Sequence, residues 1–186
     1  MNTRARTLAL VAAAAVSTTA IGAVPASAAT PAAKITGGNV QIALNSKTLK
    51  AVRGHGIAFA PLGKATLRNG TLKFPITGGT VTGPNYRTKL DGGFKYSKNG
   101  HWITVTHIVM DTATHKANAD VTGHGNIDVF ILGDPQSGSG GPGKVSYGGY
   151  PVKLTGVLTR AVDKALSTSV VANNPAFGIG ETTVTF

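Results

Sequence analysis

The sequence predicts a mainly-β protein, an antiparallel β-sandwich or a barrel, with one or two short helices. Three observations favour this fold class. Gly, Thr and Val are abundant, two Asn-Gly pairs are flanked by alternating apolar and polar residues, and the segments between turns are short. An Asn-Gly pair in this setting is a strong signal for a two-residue hairpin, and repeated hairpins are typical of antiparallel sandwiches and barrels.

Residues 1–28 form a predicted secretory signal peptide. Arg4 and Arg6 supply the positive amino-terminal region, an apolar stretch follows, and Ala26-Ser27-Ala28 is the small-residue cleavage signal. The alternative is a membrane anchor, but Ser, Thr and Gly interrupt the apolar stretch. Cleavage leaves residues 29–186, which suit a single domain. No second apolar span follows, so we expect a secreted protein, either extracellular or associated with the cell envelope.

Two similar Gly-Gly segments punctuate the first half of the chain. They are "KITGGNV" at residues 34–40 and "FPITGGTV" at residues 74–81. Neither has the strand-to-helix context of a phosphate-binding loop, so we expect both glycine pairs to bend a strand. Between them, Asn45 is a good N-cap and Gly54 a good stop, which predicts a short helix.

The first hairpin turns at Asn69-Gly70 and the second at Asn99-Gly100. In the first, Pro75 should point outward, which suits an edge strand or a bulge. In the second, both faces become apolar after residue 107, as in a strand covered on both sides. The expected apolar pairs are Leu67 with Leu72, Ala65 with Phe74, Gly63 with Ile76, Tyr96 with Ile103, Phe94 with Val105, and Gly92 with His107.

A third hairpin is predicted with a three-residue loop at Gly123-His124-Gly125. This register buries Val121 and Ile127 as a pair and places Asp120 directly opposite Asp128. Like charges that face each other across an antiparallel pair are unfavourable, which draws attention to the two aspartates.

The last quarter of the chain begins with a Gly/Ser/Pro-rich stretch at residues 133–143, which we interpret as a surface loop. Strand character resumes in "KVSYGGYPVKLTG" and returns in "ETTVTF" at the end. Residues 155–174 have a stripe of small apolar residues at helical spacing, which favours core packing over a membrane-active helix. Its members are Leu158, Ala161, Val162, Ala165, Leu166, Ser169 and Val170.

The composition limits the possible functions. The chain has no cysteine, which excludes thiol catalysis, thiolate metal sites and disulfides. The formal net charge is +11, from 18 Lys+Arg against 7 Asp+Glu. Such a charge favours an anionic partner, a cell-wall polymer or polysaccharide above all, although it can also serve solubility alone. The cations are scattered singly, so no specific nucleic-acid signal is present.

His107 and Tyr96 are candidate ligand-binding residues on the second hairpin. His107 shares a predicted face with Ile103 and Val105, where a lone histidine is more typically buried and hydrogen-bonded. A shared haem iron is not expected, because the register separates His107 from Tyr96 by about 14 Å.

Asp120, Asp128 and Asn126 are a candidate cation site. Oxygen ligands grouped on one face suit a hard cation such as Ca²⁺. The two carboxyl groups, about 5 Å apart in this register, also resemble the acid–base pair of a retaining glycosidase. The third interpretation is that a lysine or a water separates them.

Trp102 is a candidate ligand platform. It lies on the face opposite to Ile103, beside the Asn99-Gly100 turn and near Lys95 and Lys98. An exposed indole flanked by lysines can stack on a sugar or another flat ligand. The alternative is that the ring packs beneath a neighbouring loop or helix.

The pattern of glycines and apolar residues from "ATLRNGTLKFPITGGTV" through "GGFKYSKNGHWITVTHIVMD" to "ANADVTGHGNIDVFILG" resembles secreted actinobacterial β-rich proteins and, more remotely, the HtaA-type haem-binding domain. The resemblance implies a β-rich secreted fold. It also implies a haem-ligating Tyr from an amino-terminal segment and a His before the Gly-Gly strand. Here "LNSKTLKAVRG" contains no Tyr, and Leu90-Asp91 precedes Gly92-Gly93, so no haem-binding residue transfers.

These observations predict a secreted, non-enzymatic module that binds an anionic ligand or associates with the cell envelope. Two alternatives stay open, an HtaA-like carrier of haem or another small ligand, and a small hydrolase that uses Asp120 and Asp128. No nucleophile motif such as Gly-x-Ser-x-Gly supports an enzyme.

Overall fold

The computed structural model describes residues 32–173 and 175–186, and the predicted signal peptide at residues 1–28 lies outside them. The strands of the first half are β1 (Ala33–Ile35), β2 (Gly37–Leu44), β3 (Ala58–Leu62), β4 (Thr66–Arg68), β5 (Thr71–Thr82), β6 (Asn85–Leu90) and β7 (Gly93–Lys98). Those of the second half are β8 (His101–Asp111), β9 (Lys116–Val121), β10 (Gly125–Leu132), β11 (Ser137–Gly141), β12 (Lys144–Leu154) and β13 (Ala176–Thr185). The helices are α1 (Ser46–Gly54) and α2 (Gly156–Ala165).

Eight strands close into an antiparallel barrel. The ring runs β5, β2, β13, β12, β10, β9, β8 and β6, and β6 pairs again with β5. Strands β1 and β4 pair with β5 outside the ring, β7 extends from β8 and carries β3, and β11 pairs with β12. The predicted fold class, a mainly-β sandwich or barrel with short helices, is confirmed.

Strand β5 bends where it changes partners, and β2 has a similar Gly-Gly pair near its start. The first half of β5 pairs with β2 and the second half with β1 and β6, and the change falls at Gly78-Gly79. Gly79 has φ of 144° and its Cβ would overlap the carbonyl oxygen of Arg87, so only glycine fits there. Gly38 repeats this arrangement against Thr183 with φ of 126°. Each Gly-Gly pair therefore contains one glycine in a conformation and position that other residues do not fit, and the change of partners supports the predicted bend in β5.

Strand β8 bends at His107, and this bend corrects one prediction. The residues before it pair with β7, those after it pair with β6, and the register shifts between Thr106 and Val109. His107 adopts φ of 53° and is the bulged residue. The bulge moves Ile108 and Met110 onto the buried face, so the strand keeps one apolar face and is not covered on both sides.

Turn chemistry sets the hairpins correctly near their turns. The pairs Leu67 with Leu72, Tyr96 with Ile103 and Phe94 with Val105 form as predicted. The pairs further out are wrong. Ala65 does not pair with Phe74, because β4 begins only at Thr66. Phe74 pairs with Val40 on the other side of β5, and Ile76 pairs with Leu90. The predicted pair of Gly92 with His107 does not form either, because the ladder between β7 and β8 ends at the pair of Gly93 with Thr106.

The Gly/Ser/Pro-rich stretch is more regular than a loop. Residues Ser137–Gly141 form β11, which pairs antiparallel with β12 from Gly148 to Lys144. All five residues of β11 are exposed. Backbone hydrogen bonding to β12 therefore orders a segment whose composition resembles that of a linker.

Both helices cover one end of the barrel. Asn45 caps α1 by accepting hydrogen bonds from the backbone nitrogens of Lys47 and Thr48, as predicted. Helix α2 ends at Ala165, earlier than the apolar stripe implied, because the chain turns back there. Asp163 is buried and accepts hydrogen bonds from the backbone nitrogens of Val171 and Ala172, at 3.0 and 2.8 Å, which fixes the turn.

The core lies inside the barrel and beneath the helices. Its centre is a group of four aromatic rings, with neighbouring centroids 5.0 to 6.1 Å apart, formed by Phe59, Phe94, Phe130 and Phe177. Neither helix in the described part of the chain is long and apolar enough to cross a bilayer.

Candidate functional site

Trp102 lies on the outer surface of β8 with 56% of its area exposed, so the alternative in which the ring packs under a loop is wrong. It lies opposite Ser97 on β7, and Lys95, two residues before Ser97, pairs with Thr104. The ring borders a shallow groove of about 340 Å³ whose charged or titratable lining residues are Lys95, Lys98 and His101. Within residues 32–173 and 175–186, no acidic residue lines this groove. The Asn99-Gly100 hairpin holds it in place, because both turn residues adopt the positive φ that such a turn requires.

Tyr96 and His107 lie on opposite sides of the sheet. Tyr96 is 2% exposed and packs beneath α1 against Phe59 and Phe94. Burial raises the pKa of its phenol above the usual range, and the charge of Asp163 adds to this effect. The predicted burial of His107 is wrong, since the bulge turns its side chain outward and leaves it 82% exposed. The structure does not bring these two candidate residues together.

The carboxylates of Asp120 and Asp128 do not face each other. The three-residue loop of the third hairpin is shifted by one position from the prediction, to residues 122–124. Val121 therefore pairs with Gly125, Asp120 lies opposite Asn126, and Asp128 lies opposite Asn118. Gly123 in the loop and Gly125 at the start of β10 both adopt positive φ, which glycine permits.

Each aspartate has its own partner. Asp120 accepts a hydrogen bond from Asn126 at 2.9 Å and lies 3.1 Å from the Nδ1 atom of His107. Asp128 accepts one from the Lys116 ammonium at 2.7 Å. The register of the ladder separates the two carboxylates, and Lys116 neutralises only Asp128. Within residues 32–173 and 175–186, no group of three or more His, Asp or Glu is arranged to hold a metal ion, and calcium binding stays a prediction.

The residues at the α1 end of the barrel do not fit a haem. Helix α1 contains no tyrosine, and Asp91 forms an ion pair with Lys64 at 2.9 Å. The space between α1, Tyr96 and Phe177 is about 10 Å³. On this measure a single water needs about 10–15 Å³, so the space is far too small for a haem.

Sequence reasoning missed a third location, at the end of the barrel away from the helices. A cavity of about 240 Å³ opens there, lined by aromatic side chains from β6 and β12. These are Tyr86, Tyr147 and Tyr150, which are far apart in the sequence. The only local signal in the sequence was the pair of tyrosines in "YGGY", Tyr147 and Tyr150. Tyr86 is brought beside them only by the pairing of β5 with β6 and the closure of the barrel, which the sequence pattern did not show.

The described chain is thus a closed antiparallel barrel with two helices across one end and added strands on its outside. It is similar in fold to the crystal structure of the C-terminal domain of HtaA from Corynebacterium glutamicum, with a TM-score of 0.62. The likeness covers 82% of this chain and 98% of that domain at 15% sequence identity. The resemblance drawn from glycines and apolar residues is confirmed at the level of the fold. No protein-family model and no curated protein matches the chain.

Proposed function

We propose that this chain is a secreted, non-enzymatic binding module that attaches to an anionic polysaccharide or cell-wall polymer through the groove beside Trp102. The observation that carries the proposal is the exposed indole, bordered by Lys95 and Lys98 in a groove without a carboxylate. The predicted signal peptide at residues 1–28 supports a location outside the cell, in the extracellular space or at the envelope.

The groove combines two attractions that a charged sugar polymer satisfies at once. The indole face stacks on the apolar face of a sugar ring, while the two ammonium groups attract acidic substituents nearby. Asp120 on β9 pairs with Thr106 on β8. Thr106 lies four residues after Trp102, so Asp120 is about 13 Å away from the indole along the strand. Local repulsion of an anion is therefore small.

The placement of the acidic residues supports binding over hydrolysis. Asp120 is engaged by His107 and Asn126, and Asp128 is engaged by Lys116, so these carboxylates do not form an acid–base pair across the hairpin. The crowded α1 end likewise gives no support to a haem carrier that uses the HtaA-type positions.

A pull-down on isolated cell wall at rising salt tests the proposal. We expect retention of the purified protein at low salt and release as salt screens the lysines. Trp102→Ala should weaken retention about three- to tenfold, since an exposed aromatic contact of this kind contributes about 0.5–1 kcal/mol or somewhat more. Walls stripped of their acidic polymers should retain little protein.

A matched pair of double variants separates the groove from the overall charge. Lys95→Gln with Lys98→Gln should reduce retention more than Lys47→Gln with Lys50→Gln, which removes the same charge from exposed positions on α1. Equal losses in the two double variants, or full retention by Trp102→Ala, would show that the groove is not the contact surface.

A further inference from the structure

The cavity at the open end of the barrel is the second place where a ligand fits. It lies between the β5–β6 turn, the β8–β9 turn and the start of the segment that leads into β11, with a volume of about 240 Å³. Tyr86, Tyr147 and Tyr150 line it from inside, and Leu132 adds an apolar wall. His115 and Asp134 stand at its mouth, where both side chains are more than half exposed.

The three tyrosines are held rigidly by contacts that use their hydroxyl groups. Tyr147 stacks on Tyr86 with centroids 5.4 Å apart and an angle of 22° between the rings, and its hydroxyl donates to the carbonyl of Pro84 at 3.1 Å. The Tyr150 hydroxyl is bonded to Thr182, and its ring occupies the space that a side chain at position 180 would need. The cavity therefore offers ring surface more than free hydroxyl groups.

These rings stay uncharged under physiological conditions. Burial raises the pKa of Tyr86 to about 12, and burial raises the pKa of Tyr150 further. A neutral phenol has a negative ring face because of its quadrupole, and this face attracts cations without the desolvation cost of a buried anion.

The charge of the lining also favours a cation. The full chain has a formal charge of +11, yet no Lys or Arg is among the described residues that line this cavity. The one carboxylate among these lining residues is Asp134, whose Oδ1 atom lies 3.7 Å from the Nδ1 atom of His115. The Asp134 carboxylate and the negative faces of the tyrosine rings would repel an anion in this cavity, and both would attract a cation.

We propose that the cavity binds a small alkylated ammonium group, with the tyrosine rings around its methyl groups and Asp134 opposite its positive charge. Aromatic surfaces with a nearby acid are the usual means by which proteins recognise quaternary ammonium compounds. The cavity is small enough to select a compact head group, and it lies at the other end of the barrel from α1 and from the position where the HtaA resemblance places a haem.

Calorimetric titration with choline and with its neutral analogue, in which carbon replaces the nitrogen, tests the inference on the wild-type protein. The two probes have nearly the same shape, so their difference isolates the charge. We expect choline to bind about tenfold more tightly. Equal or tighter binding of the neutral analogue, or no binding of choline at millimolar concentration, would overturn the proposal.

Substitutions locate the site. Tyr147→Leu and Asp134→Asn should each weaken choline binding, while Tyr147→Phe, which keeps the ring, should preserve most of it. Asp120→Asn removes a carboxylate from the outer surface of β9 and serves as the charge control. Unchanged binding in both Tyr147→Leu and Asp134→Asn, with native circular dichroism, would place any choline site elsewhere.

Discussion

At the scale of single residues, Tyr86 and Tyr150 are phenols that the barrel interior keeps in the protonated form. Burial raises the pKa of Tyr86 from 10.0 to about 12, partly offset by its hydrogen bond with Thr182. In the unfolded chain the same phenol ionises near pH 10. Between these two values the unfolded state has released its proton while the folded state still holds it, so stability is intact below pH 10 and falls as pH rises toward 12.

Tyr86→Phe tests this linkage. Because one pKa unit corresponds to about 1.4 kcal/mol, the wild-type free energy of unfolding should fall by up to that amount per pH unit above pH 10 on account of Tyr86. The variant should lose less stability between pH 9 and about 11.5, as measured by urea denaturation at each pH. The reading of Tyr86 as a buried neutral phenol fails if the two proteins show the same slope.

At the scale of secondary-structure elements, the bends in β5 and β2 depend on one glycine of each Gly-Gly pair. Gly79 and Gly38 have positive φ and closely approach a neighbouring carbonyl group, whereas a Cβ on Gly78 or Gly37 would meet nothing within 4 Å. The two glycines of a pair are adjacent in sequence and share the same strand, yet only the second is required by the fold.

Gly79→Ala should therefore destabilise the protein by about 2 kcal/mol or more, because strain at the positive φ adds to the displacement of a backbone carbonyl. Gly78→Ala is the matched control and should change the free energy of unfolding by less than about 1 kcal/mol. Thermal and urea denaturation of both variants provide the measurement. Comparable losses in the two variants would contradict this assignment.

The elements also show which features follow from local chemistry. The Asn-Gly turns and the Asn45 cap were predictable, because each depends on residues within a few positions. The exposure of Trp102 was one of two open alternatives, because it depends on whether another element covers β8. The bulge at His107 was not predictable, because it forms where the pairing partner of β8 changes from β7 to β6. The register of the third hairpin depended on whether Gly125 belongs to the loop or to the ladder. The tyrosine cavity required knowledge of the closed ring, which joins β6 to β12 through distant pairings.

At the scale of the whole molecule, the barrel closes between distant parts of the chain. Strand β13 lies between β2 and β12, and the Thr36 nitrogen donates to the Thr185 carbonyl at 2.8 Å. Strand β2, near the start of the described chain, and the last strand β13 are thus neighbours, while the Asn99-Gly100 turn is exposed on the surface. The order of elements along the chain is less important to the closed structure than their pairing.

A circular permutant tests this arrangement. Joining residue 186 to residue 32 by about six Gly/Ser residues spans roughly 20 Å, enough to pass β1, and new termini at Asn99-Gly100 interrupt only a turn. We expect native circular dichroism and a melting temperature within several degrees of the parent. A second permutant opened at Val129-Phe130, inside buried β10, should not fold. Failure of the first permutant, or equal success of the second, would contradict the argument.

The strands added outside the ring leave backbone edges that the barrel itself does not have. In the described chain, β3 pairs on one side only and contains Pro61, which has no N–H group to offer a further strand. Strand β11 also has a free side, and its Ser and Gly residues present no apolar side chain. Long apolar edges recruit strands from other copies and start aggregation, which proline and small polar residues oppose. Strands β3 and β11 thus extend the barrel without supplying a template for intermolecular sheets.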